Sequence, residues 1–137
     1  MSEQIVLVIL EDESGRVALQ LRDDLPEVAY GDHWGLFGGH VEEGENPAVA
    51  IRRELTEELG ISIESKKVRQ LETFQIENRF YYLFLYSLID ELNSAKLAEG
   101  RRYGVFGRSE IEKSAIDSKV LIPHHLVAMK RYWKALT

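Results

Sequence analysis

The chain has 137 residues, no cysteine and a formal net charge of −6. That length fits one domain with a proper core, spanning residues 1–137, and no repeat, linker or low-complexity tract divides it. The acidic balance argues against a basic face for nucleic-acid polymers or membranes, while the missing cysteines exclude disulfides and thiolate metal sites and are compatible with a reducing compartment, the cytoplasm.

Strands are predicted over 4–11 and 16–22, joined by a turn at Ser14 and Gly15. The first contains the apolar run Ile5 to Leu10, which is too short for a signal core or a membrane span and is closed by Glu11 and Asp12. It reads as a buried strand. A loop containing Pro26 and Gly31 reaches His33, and a short strand over 34–37 follows. Half of the ten glycines fall between Gly31 and Gly44, marking a backbone that turns sharply and approaches something closely.

A helix is predicted over 47–59. Asn46 can cap its free N–H groups, Pro47 suits the first helical position, and Gly60 can take the left-handed conformation that stops it. Ala48, Ile51, Leu55 and Leu59 form its apolar stripe. Beyond Gly60 come a short strand near Ser62, strands over 68–77 and 79–89 with Asn78 at a hairpin tip, a strand over 102–106 and a short helix over 109–113. A last helix follows Pro123, with Leu126, Met129, Trp133 and Leu136 on one stripe. Strands on both sides of a central helix, with a second helix at the end, give an α/β fold: an α/β/α sandwich around a mixed, mostly antiparallel sheet.

The central helix breaks two local rules. Glu54, Glu57 and Glu58 stand three and four apart, where like charges repel, and Glu57 and Glu58 lie at the negative end of the helix dipole. In a half-buried cleft two such charges about 5 Å apart repel by roughly 3 kcal/mol at an effective dielectric near 20. A cation offsets that repulsion, and hard oxygen donors on an open site suit Mg²⁺ or Mn²⁺. Arg53, four residues before Glu57, can bridge to it. Glu45, at the helix start, can bond the loop or pair with Arg53.

Read in order, Gly39, five residues, Glu45, seven residues, Arg53, Glu54, Leu55, any residue, Glu57, Glu58, any residue, Gly60 and Ile61 resemble the box of the Nudix hydrolases without a departure. With about 6% usage for each of seven fixed letters, chance produces this on the order of once in 10^9 starting points. Just before it, HWGLFGGHVEEGE departs from the family's commoner W-x-x-P-G-G, because Phe37 stands where proline usually does. This alters loop stiffness more than chemistry.

The resemblance covers nearly the whole chain and implies the same sandwich architecture. It implies hydrolysis of the diphosphate linkage in a nucleoside diphosphate linked to a moiety X, with Mg²⁺ as cofactor and Mn²⁺ as a substitute. The compact chain leans toward nucleoside triphosphates, as in MutT-like pyrophosphohydrolases; ADP-ribose and nucleotide sugars are the alternative substrates. A reading from another class is a non-catalytic nucleotide-sensing module, which a degenerate box would favour.

Carried over residue by residue, the metal ligands are the Gly38 carbonyl with Glu54, Glu57 and Glu58, and Gly39, Glu45 and Arg53 support them. Glu54 and Glu99 are the candidates for taking the proton of the attacking water, Glu99 lying in LAEGRRYGVFGRSEI. Arg101 and Arg102 are candidates for phosphate. Within the aromatic run Phe80, Tyr81, Tyr82, Phe84 and Tyr86, one face is core and the other, with Tyr82, can stack a base. His33 and His40 are further positions for a substrate contact, whereas His124 and His125 are adjacent and diverge on a helix, which speaks against a shared metal. The expected partner is a small nucleotide, and a homodimer through a strand edge or the last helix is open.

Overall fold

The apolar N-terminal run forms the middle of the sheet. In the computed structural model, which describes residues 3–60, 62–87 and 102–137, strand β1 spans Glu3–Glu11 and is buried from Ile5 to Leu10. Alternate side chains of a strand point to opposite faces, and both faces here are covered, which is why the run is continuously apolar. Ile5, Leu7 and Ile9 enter one core cluster, and Val6, Val8 and Leu10 enter the other.

One edge of β1 is lined along its length by β6 (Arg79–Ser87), which runs parallel to it, and β5 (Val68–Ile76) pairs antiparallel outside β6 with a bulge between Gln70 and Glu72. The other edge is divided. β2 (Val17–Leu21) meets β1 at Leu10 and Glu11, while β4 (Phe37–His40) takes Ile5 to Val8. The remaining part of β2 pairs with β3 (Trp34–Gly35), and its far edge pairs with β7 (Arg102–Phe106). The β3–β4 stretch is therefore a wedge that splays β1 and β2 apart, and the gap it opens is where the site lies.

Helix α1 (Pro47–Leu59) covers the Val6 face. Helix α3 (Pro123–Ala135) covers the Ile5 face together with α2 (Arg108–Glu112), which contributes Ile111. Helices on both faces of a mixed sheet make the expected α/β/α sandwich. No helix among the described residues is long and apolar enough to cross a membrane.

Several boundaries differ from the reading of the sequence. The α1 stripe begins later, with Ala48 exposed and Ala50, Ile51, Leu55, Glu58 and Leu59 buried. No strand forms at Ser62; a short 3-10 turn over Ser65–Lys67 leads into β5 instead. Leu136 is 63% exposed because α3 ends at Ala135, and His125, Ala128 and Tyr132 fill the buried face with Met129 and Trp133. A small hairpin of β8 (Ala115–Ile116) and β9 (Lys119–Val120) was not anticipated. Its tip places Asp117 at φ 51° and Ser118 at φ 65°, the left-handed pair of a tight hairpin turn, without a glycine to announce it.

Candidate metal and phosphate site

Local sequence sets helix α1 in place. Asn46 is extended and its side-chain oxygen accepts the Val49 amide at 2.9 Å, Pro47 opens the helix, and Gly60 ends it at φ 67° with its amide bonded to the Thr56 carbonyl. Such a cap is worth about 1 kcal/mol. The caps fix which helical residues face the sheet, and hence where the glutamates point.

Arg53 gathers the carboxylates on the outer side. Its Nε and Nη2 donate to Glu45 at 2.7 and 2.9 Å, and Nη2 also reaches the His40 carbonyl at 3.1 Å. Nη1 lies 3.0 Å from Glu54, 3.4 Å from Glu57 and 3.5 Å from Glu42. Bidentate pairing holds the Glu45 carboxyl down to about 2, aided by the Glu42 amide at 2.9 Å. Glu45 thus ties the glycine loop to the helix through one guanidinium, making both of the contacts anticipated for it.

On the inner side Glu58 is buried and bridges the gap in the sheet. Its Oε2 accepts from Gln20 Nε2 on β2 at 2.5 Å, and its Oε1 accepts from the Gly38 amide on β4 at 3.2 Å. Glu54 is in hydrogen-bonding contact with Glu58, and burial pushes its carboxyl above the usual range; Arg53 opposes that rise and the Glu57 charge adds to it. The two glycines make this approach feasible. A Cβ on Gly39 would strike the Glu54 carboxylate, and one on Gly38, at φ 151°, would strike the Val6 carbonyl oxygen.

The expected three-carboxylate cluster is realised as a pair. Among the described residues no three acidic or histidine side chains converge on one point. Glu57 is 60% exposed at its side chain and turns out to Arg53. The reason is helical geometry: consecutive positions such as 57 and 58 leave the helix axis about 100° apart, whereas 54 and 58 stack on one side. The pair nevertheless suits a hard divalent cation. Two carboxylates touch in a recess, and the single Arg53 guanidinium is shared with Glu42, Glu45 and Glu57 as well. One or two carboxylates, with waters and phosphate oxygens completing the shell, is the usual manner of binding Mg²⁺.

A cavity of about 210 Å³ opens from Glu54, Glu58, Gly38 and Gly39 through the β2–β4 gap toward the α3 face. There it is walled by Ile5, Leu7, Tyr81, Ile122 and His125, with Arg22, Asp23, Tyr30 and Arg79 also lining it. His40 lines it as well and pairs with Glu3 at 3.2 Å, while His33 bonds the Gly31 carbonyl at 2.9 Å.

Two of the expected substrate contacts lie elsewhere. Tyr82 points to the α1 face with its hydroxyl on Gln4 at 3.4 Å; its neighbour Tyr81, one residue away and hence on the opposite face, lines the cavity instead. Arg102 is exposed at the start of β7, opposite Leu21 on the far edge of β2, away from the wedge. Glu99 and Arg101 lie outside the described residues. Gln20, Arg22, Arg79 and His125 were not singled out as site residues. Their only sequence signal is an end or interior position in a strand or helix, which ordinary flanking residues share.

A family model for the NUDIX domain matches residues 1–124. The chain belongs to the Nudix family. It is a Nudix hydrolase, and Nudix hydrolases are in general dependent on a divalent metal. Among solved structures, the MutT Nudix hydrolase of Burkholderia pseudomallei is similar at 23% identity and a TM-score of 0.72, over 95% of this chain and 97% of that one. A MutT structure from a study of Aliivibrio salmonicida and Vibrio cholerae is similar at 23% identity and 0.67, over 83% and 86%. A bifunctional NMN adenylyltransferase/ADP ribose pyrophosphatase of Francisella tularensis, complexed with AMP and a Mn ion, is similar at 17% and 0.78; all of this chain matches 42% of that one. At these identities the likeness is one of fold. No curated protein matches the chain.

Proposed function

We propose that this Nudix hydrolase cleaves the diphosphate linkage of a nucleoside diphosphate linked to a moiety X, with nucleoside triphosphates as the favoured class, using Mg²⁺ or, in its place, Mn²⁺. The observation that carries the reading is the Glu54–Glu58 pair, two carboxylates in contact in the lining of a cavity that Gly38 and Gly39 also line. Glu54 and Glu58, with Glu57 and the Gly38 carbonyl, would hold the metal. Bound there, the metal supplies neutralisation of charge on the phosphates and a lowered pKa for water.

The chain's own residues supply position. Gln20 and the Gly38 amide hold both oxygens of Glu58, and Arg53 holds Glu54 while Glu45 anchors Arg53. A catalytic constellation held this way loses little orientational freedom at the moment of reaction. Water's oxygen bonds to one phosphorus, the bridging P–O bond breaks, and the bridging oxygen leaves with the other phosphate. Glu54 accepts the water's proton, with Glu99 the second candidate for that role. From a triphosphate the products are a nucleoside monophosphate and pyrophosphate. The whole chain, residues 1–137, acts as one domain on a small nucleotide in the cytoplasm.

The test is a panel of nucleoside triphosphates, ADP-ribose and nucleotide sugars assayed with Mg²⁺ and with Mn²⁺. Metal-dependent release of a nucleoside monophosphate from at least one is expected. Binding without release from any of them would favour a nucleotide sensor and overturn the hydrolytic reading.

A further inference from the structure

In the cavity wall that α3 contributes, His125 is only 6% exposed and stands with Ile122. Its Nδ1 accepts the Leu36 amide at 3.0 Å, so the neutral ring must carry its hydrogen on Nε2. The ring stays neutral because burial, and then the charges of Arg22, His124 and Arg79, push its pKa down to about 3. The ring also packs closely: a Cβ on Gly35 would come within 2.9 Å of Nδ1, so the imidazole sits against a glycine. Nε2 has no hydrogen-bond partner among the described residues and is not among the atoms sealed from solvent without one. Its hydrogen therefore faces the cavity.

The surroundings favour an acceptor there. Ile5, Leu7 and Ile122 provide apolar wall, and Arg22 and Arg79, which also bond the Ala29 carbonyl and pair with Glu3 respectively, line the same space. The Tyr81 hydroxyl is occupied by His124 Nδ1 at 2.6 Å. Asp23 also lines the cavity but makes no hydrogen bond to His125 among the described residues. A ligand group that itself carries an N–H would set donor against donor, leaving both unpaired in a recess. A site built to bond one polar group rejects an analogue without it far more strongly than an apolar pocket rejects a methylene.

We propose that His125 is a specificity-determining residue: its Nε2–H, fixed in place by the Leu36 amide, donates to an oxygen of the substrate, either a keto oxygen of the base or a phosphate oxygen. The inference rests on the diphosphate-hydrolase reading and adds to it the class of group received at this wall.

Two substitutions separate the donor from the structural bond. Asparagine places its oxygen where Nδ1 stands and leaves nothing at Nε2, whereas glutamine places its amide nitrogen near Nε2 and weakens the bond to Leu36. Wild type, His125→Asn and His125→Gln are assayed on inosine and adenosine triphosphates with Mg²⁺. His125→Asn is expected to lose about tenfold or more in kcat/KM, chiefly through KM, and His125→Gln to remain within about threefold. A loss confined to the inosine nucleotide assigns the oxygen to the base; an equal loss on both, repeated with inorganic triphosphate as competitor for the site, assigns it to phosphate. His125→Asn within about twofold of wild type on both, or His125→Gln the more impaired of the two, overturns the proposal in favour of a packing role.

Nitrogen-15 NMR of the His125 ring gives a reading independent of turnover. The hydrogen is expected on Nε2 with no protonation at pH 5, and an Nδ1-bound hydrogen or an imidazolium overturns the proposal. If wild type turns over no nucleotide, the hydrolytic reading fails by itself, and nucleotide affinities of the same three proteins then judge the donor by the same criterion.

Discussion

Glu58 of α1 reaches into the sheet and joins two strands that do not pair with each other: Gln20 Nε2 donates to its Oε2 at 2.5 Å from β2, and the Gly38 amide donates to its Oε1 at 3.2 Å from β4. A buried carboxylate thus stands where a strand-to-strand ladder would otherwise run. With both oxygens bonded, Glu58 cannot swing away from Glu54, and the pair stays formed.

Replacing Gln20 with methionine keeps the volume of the side chain and removes the donor. Partners that orient metal ligands typically contribute 10–100-fold to metal affinity or activity. We expect Gln20→Met to lower turnover at limiting Mg²⁺ by about 10–100-fold, with partial recovery at high Mg²⁺. Turnover measured across a Mg²⁺ series checks this, and an unchanged Mg²⁺ dependence would show that Gln20 does not orient Glu58.

The two adjacent glycines should separate folding from function. At Gly38 a Cβ would meet the Val6 carbonyl, and φ 151° is strained for any side chain, so Gly38→Ala should destabilise the fold by about 2 kcal/mol or more. At Gly39 the obstacle is the movable end of Glu54. Gly39→Ala should keep most of the stability and lose most of the turnover. Urea unfolding and steady-state rates on the two variants decide between this and a simple turn role for both.

Acid should destabilise the protein in two windows. The Glu45 carboxyl falls from its ordinary 4.5 to about 2 in the folded state, through Arg53 first and the Glu42 amide second. Its contribution is therefore complete above 4.5 and is lost as pH falls toward 2. Buried His125 falls from 6.5 to about 3. The unfolded chain binds the extra proton between those values, so stability also declines as pH drops below 6.5. Unfolding free energy measured from pH 7 to pH 3 should fall with pH, less steeply below pH 4.5 in Glu45→Gln and less steeply between pH 6.5 and 4.5 in His125→Asn. Slopes identical to wild type in both variants would contradict the two linkages.

The parts of this fold that depend on neighbours in sequence were legible in advance. Asn46, Pro47 and Gly60 set α1 from 47 to 59 because capping is local chemistry, and the apolar run at Ile5 to Leu10 announced β1 because both its faces are covered. That Glu57 stands apart from the Glu54–Glu58 contact, beside Arg53, follows from its adjacency to Glu58, since consecutive helical positions do not face each other. Other features required the tertiary structure. Tyr81 and Tyr82 alternate in any strand, but only the wedge of β3 and β4 decides which face meets the cavity. Arg22, Arg79 and His125 come together across separations of dozens of residues, and no spacing rule encodes that meeting.

The account stands on the claim that Glu54 and Glu58 together hold a divalent cation, and Mn²⁺ binding followed by electron paramagnetic resonance tests it most directly. Titration of the nucleotide-free protein should reveal bound Mn²⁺ in wild type, weakened binding in Glu57→Gln, and none at the same concentrations in the Glu54→Gln/Glu58→Gln double variant. Mn²⁺ bound as tightly by a folded double variant as by wild type would contradict it.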